Sequence, residues 1–84
     1  MTIIVVAANV AQAKEYWKAI KEKYQEDKRH HVRFISNREG SWDGIHWRNL
    51  IVILCGNYWE NKFYKSDLYN MYQKFGVRIV YERL

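Results

Sequence analysis

The chain has no proline, only four glycines and a single cysteine in 84 residues. Without Pro or abundant Gly there is no linker and no low-complexity region. A lone Cys55 excludes an internal disulfide framework and fits a reducing cytoplasm. No apolar run approaches the ~20 residues of a membrane span. The opening "MTIIVVAANV" is apolar but lacks a basic leader, so it reads as a strand and not as a signal peptide. Also missing is the G-x-x-x-x-G-K-[ST] pattern, whose backbone cradles nucleotide phosphates.

What the chain does have is aromatic surface and positive charge. Four Trp, seven Tyr and three Phe bring the aromatic share to 17%. A single short domain buries a modest fraction of its surface, and large aromatic side chains compensate. Any that stay outside become candidates for contact. The net charge of +5 permits nucleic acid or another anionic partner. Lys, Arg, Asp and Glu are interspersed, which equally suits an ordinary solvated surface.

Thr2–Ala8, "TIIVVAA", is a continuous β-branched apolar run, as expected of a strand buried on both faces of a parallel sheet. Asn9 is placed to cap a helix over Val10–Glu26. Its inner stripe is Val10, Ala13, Trp17, Ile20 and Tyr24, at helical spacing. A second strand is expected at Val32–Ser36 and a third at Leu50–Cys55. The long "NREGSWDGIHWRN" connection lies between them, with Trp42, Ile45 and Trp47 available to cover a sheet face. "NYWENKFYK" reads as a loop. Ser66 and Asp67 open a second helix, with Leu68, Met71, Tyr72 and Phe75 as its buried stripe and Gly76 as its stop. Val77–Glu82 is the fourth strand. The order β-α-β-β-α-β predicts a small three-layer α/β sandwich, Rossmann-like, with a mainly parallel four-stranded sheet. Right-handed crossovers favour the strand order 2-1-3-4.

Two segments carry a resemblance. "VVAANVAQAKEYW" and "GIHWRNLIVILCGN" look like stretches of helicase and phage terminase motor domains, which share a P-loop ATPase core. The same features resemble small uncharacterised phage-encoded α/β proteins, in which a QAK helix start precedes a strand ending in Gly–aromatic–Trp, here "CGNYWE". This second likeness covers most of the chain. The ATPase machinery is absent, however. The phosphate-binding loop is missing, and Cys55-Gly56 stands where the acidic metal-binding pair is expected. Phosphoryl transfer without those charges has no electrostatic support. The resemblance therefore implies a stripped core that binds, with no NTPase activity and no cofactor.

Ligands of open parallel sheets sit outside the carboxyl ends of the strands, near the topological switch point. That rule gathers Asn9, Arg38, Asn57, Tyr58, Trp59 and Lys62. The amides would hydrogen-bond, the aromatics would stack or plug a pocket, and the cations would meet phosphate. Asn9 as a plain cap and Tyr58 or Trp59 as a core lid are the structural alternatives. A second set, Lys14, Lys18, Lys21, Lys28, Arg29 and Arg33, would form a basic patch around the first helix, diluted by Glu15, Glu22, Glu26 and Asp27. His30, His31, His46 and Cys55 lack the recurrent spacing of a zinc site. Neither Asp43 with His46 nor Cys55 with His46 comes with the elements of a catalytic site. The expectation is a non-enzymatic accessory protein, phage-encoded and cytoplasmic, that contacts a protein partner or itself. Alternatives are a nucleic-acid-binding module and a nucleotide- or metabolite-binding domain.

Overall fold

The computed structural model describes residues 2–24, 31–38 and 48–82. They form strands β1 (Thr2–Val6), β2 (His31–Phe34), β3 (Leu50–Cys55) and β4 (Arg78–Glu82), and helices α1 (Val10–Ile20) and α2 (Asp67–Lys74). The sheet order is β2-β1-β3-β4 and every pairing is parallel. This is the expected α/β sandwich, with the expected strand order.

The two faces follow from alternation along the strands. Ile3, Val5, Ile51, Ile53 and Cys55 face α1 and pack with Ala13, Ile20, Tyr16, Trp17 and Tyr24. Ile4, Val6, Leu50, Val52 and Leu54 face the other way, onto Phe63, Tyr69 and Tyr72. All six residues of β3 are buried, because β3 has β1 on one side, β4 on the other and a layer over each face.

Polar caps fix where the helices begin. The Asn9 side chain accepts from Gln12 N–H at 2.8 Å. Ser66 Oγ accepts from Tyr69 N–H at 3.1 Å and donates to the Phe63 carbonyl at 2.6 Å. α2 ends at Gly76 (φ 74°), where Gly76 N–H meets the Gln73 carbonyl and Val77 N–H meets the Tyr72 carbonyl. That pair of bonds is the Schellman arrangement, which a residue with a free left-handed conformation allows.

Several expectations need correction. α1 ends at Ile20 and tightens into a 3-10 turn over Lys21–Tyr24. β2 spans His31–Phe34, with Ile35 continuing as a buried residue whose N–H donates to the Val5 carbonyl. "NYWENKFYK" is two 3-10 turns, Tyr58–Glu60 and Lys62–Lys65, and the second drives Phe63 fully into the core. In α2 the buried residues are Tyr69 and Tyr72, while Met71 and Phe75 are exposed. Trp42, Asp43, Ile45, His46 and Trp47 lie outside the described residues, as do Lys28, Arg29 and His30.

Candidate functional site

The strand order places the switch point between β1 and β3. Three side-chain amides fill that place. From α1, Gln12 Oε1 accepts from Ala8 N–H at 3.0 Å, beyond β1, and from Asn57 N–H at 2.9 Å, beyond β3. Gly56 allows this approach: at φ 53° an added Cβ would stand 2.5 Å from Gln12 Oε1. Asn61 is wholly buried. Its Nδ2 donates to the carbonyls of Ala7 (2.9 Å) and Ile35 (3.1 Å), and its Oδ1 accepts from Phe63 N–H at 2.9 Å. Asn37 donates to the Ala8 carbonyl at 2.7 Å and accepts from Lys62 N–H at 2.9 Å. Strand ends expose peptide groups that must find partners. Here the chain supplies those partners itself, where related architectures keep a crevice for a ligand.

The open recess sits one strand further along, at the ends of β3 and β4. It measures about 370 Å³ and is lined by Tyr16, Leu54, Gly56, Asn57, Tyr58, Trp59, Tyr81 and Glu82. The 3-10 turn after β3 sets the geometry. It turns Tyr58 inward against the core and leaves Trp59 outward. Tyr58 meets Trp59 at 5.3 Å and 80°, Tyr81 at 5.7 Å and 68°, and Tyr64 at 5.1 Å and 70°. Edge-to-face contacts of this kind are favoured by the ring quadrupoles. Trp59 and Tyr81 are each 52% exposed. Behind them Tyr64 and Phe63 both contact Tyr69, so one aromatic chain runs from surface to core. The Tyr69 hydroxyl is buried and completes no hydrogen bond among the described residues.

Glu82 closes the recess on the α1 side. Its two oxygens accept from Tyr24 Oη at 2.6 Å and Lys23 Nζ at 3.1 Å. The Tyr24 hydrogen bond is the main reason its carboxyl titrates below the ordinary range; burial pulls the other way and Lys23 adds to the lowering. Tyr24 is raised in turn, first by burial and then by its bond to Glu82. Cys55, paired in register with Glu82, has its thiol pushed up to about 11 by burial and then by the Glu82 charge. A thiol in that state is a poor nucleophile.

The predicted site residues therefore divide. Asn57, Tyr58 and Trp59 line the recess. Arg38 and Lys62 sit away from it, beside the Asn37 bridge at the end of β2. Asn9 is exposed and spends its oxygen on capping α1. Tyr81, Glu82 and Tyr16 were absent from the predicted site, because the rule followed the switch point and not the neighbouring strand pair. Of the basic set, Lys14, Lys18 and Lys21 are exposed along α1 and the turn after it, with Lys14 Nζ lying 5.8 Å over the Phe34 ring. Arg33 lies on the other side of the sheet: its neighbours Val32 and Phe34 pack with the α1 layer, while its charge acts on Tyr72 in the α2 layer. The sheet thus separates Arg33 from the helix lysines. Among the described residues no group of three His, Cys, Asp or Glu can hold a metal ion, and no helix is long and apolar enough to cross a membrane. No family model, curated protein or solved structure matches the chain.

Proposed function

We propose that the protein is a non-enzymatic accessory protein that works by protein–protein contact through the aromatic surface at the carboxyl ends of β3 and β4. One observation carries the reading: Trp59 and Tyr81, both half exposed, flank Tyr58 at the mouth of a recess. Large aromatic side chains anchored on a rigid scaffold and wetted on one side are typical binding hot spots. The thiol of Cys55 beside this surface is buried with its pKa raised, which does not suit a nucleophile. The phage resemblance of the "CGNYWE" segment fits an accessory role toward a host or phage protein, or a second copy of the chain.

Replacing Trp59 and Tyr81 together by alanine tests this. Circular dichroism should show the fold retained, because both side chains are half outside. Partner capture or self-association, read by pull-down and light scattering, should disappear. Unchanged capture by the double variant would sink the reading.

A second reading has its own observation, the exposed row Lys14, Lys18 and Lys21. Nucleic acid held there would dissociate steeply with added salt. No mobility shift with single- or double-stranded nucleic acid at low salt would reject it.

A further inference from the structure

We propose that the recess between the ends of β3 and β4 receives an arginine side chain of a protein partner, with the guanidinium against the aromatic walls and paired with Glu82. The inference rests on the docking reading above and names what docks.

Charge is the first argument. The chain carries 14 Lys and Arg against nine Asp and Glu. Yet among the described residues that line the recess, Glu82 is the one ionic residue. An anionic ligand would find no cation among the described residues of these walls. A cationic one finds a carboxylate that is already ordered.

Glu82 geometry is the second. Its side chain is 11% exposed and fixed by Tyr24 and Lys23, one on each oxygen. A carboxylate offers about four acceptor positions. Acceptor capacity therefore remains on both oxygens, which suits the forked donors of a guanidinium better than a single ammonium. The Lys23 side chain is 65% exposed, so solvent screens its pair with Glu82 and an incoming cation can share or displace it.

The walls are the third. Trp59 and Tyr81 each meet Tyr58 at a steep angle, so the aromatic lining turns a corner. Ring faces attract cations, and arginine is the cation most often found on them. The planar guanidinium can also lie flat on a ring while its edge meets a carboxylate. Asn57, at the rim, makes no capping bond with its side chain, which leaves its amide oxygen as a further acceptor.

The test titrates the intact chain with a short peptide carrying one arginine, followed by amide and indole chemical shifts. The control is the same peptide with citrulline, which keeps the shape and loses the charge. The arginine peptide should give saturable shifts at Gly56, Asn57 and Trp59. Citrulline should bind at least about tenfold more weakly, as should arginine to Glu82→Gln or Trp59→Ala. Both variants are checked by circular dichroism. Should Glu82→Gln fail to fold, Trp59→Ala decides, since that side chain is half outside. Equal binding of citrulline overturns the proposal. So does the absence of saturable shifts up to roughly 20 mM peptide, where even a millimolar site would fill, or a mononucleotide shifting these residues at lower concentration than the peptide. If the peptide fails while the Trp59→Ala, Tyr81→Ala double variant still loses partner capture, the arginine inference falls and the docking surface stands. If both experiments fail, both readings fall.

Discussion

At the scale of single residues, Asn61 is the buried polar side chain, among the described residues, that ties three segments together. Fully buried, it joins the end of β1, the end of β2 and the 3-10 turn before α2 through three hydrogen bonds of 2.9–3.1 Å. Replacing it with alanine leaves two carbonyls and one N–H without partners. Each buried orphan costs about 1–3 kcal/mol. The site lies at the sheet edge, where water entering the vacated space can recover part of that. A loss of about 3 kcal/mol is therefore expected for Asn61→Ala in urea denaturation. Asn61→Asp should be at least as damaging, because it keeps the acceptor, removes both donors and buries a charge. A loss below about 1 kcal/mol for the alanine variant would mean that water replaces the amide. Asn61 was invisible in the sequence. A lone Asn in "NYWENKFYK" has the composition of a loop, and only the fold reveals that three strand and turn ends converge on it.

At the scale of elements, legibility tracks length and pattern. β3 was readable to the residue, because six consecutive apolar positions bounded by Asn49 and Gly56 admit one strand. The caps Asn9 and Ser66 were equally clear, since each precedes a helical pattern. α2 has only eight residues, and there Leu68–Tyr72 and Tyr69–Tyr72 spacings fit equally well. Tyrosine hydropathy does not separate them: Tyr72 is buried and Leu68 packs against the core as expected, while Tyr69 is buried and Met71 and Phe75 are exposed. The two glycines that close elements are also not equivalent, which the sequence hides. Both have positive φ, but an added Cβ meets nothing within 4 Å at Gly76 and meets Gln12 Oε1 at 2.5 Å at Gly56. Gly76→Ala should lose only the left-handed backbone penalty, about 1 kcal/mol. Gly56→Ala adds the displacement of Gln12 and its two bonds across the switch point, and should lose about 3 kcal/mol. The coupling is measurable. In a Gln12→Ala background most of the excess at Gly56 should vanish, while the loss at Gly76 should stay as it was. Equal losses at the two glycines in the wild-type background would show that Gln12 moves aside freely.

At the scale of the whole molecule, the order β2-β1-β3-β4 makes β1 and β3 the central strands, each with a neighbour on both sides and a layer on both faces. The order was legible because right-handed crossovers leave few arrangements. The site shifted because filling the switch point requires particular amides in three dimensions, which no pattern of hydropathy encodes. The same centrality makes Cys55 a reporter on the entire fold. Its thiol is buried against the Val6 carbonyl at 3.6 Å, with its pKa pushed up to about 11. Reaction with a thiol reagent at neutral pH then requires opening of the sheet, and the labelling rate follows the population of the open form when closing is faster than reaction. Wild-type protein should label slowly. Asn61→Ala, at about 3 kcal/mol, should label roughly 100-fold faster, because each 1.4 kcal/mol is a factor of ten. Gly76→Ala should raise the rate only about fivefold by the same conversion. If Asn61→Ala lowers the urea midpoint but leaves the labelling rate unchanged, Cys55 is reached by local opening of the β3–β4 edge instead. That edge carries the proposed contact surface, so such a result would place the least stable part of the sheet at the binding site.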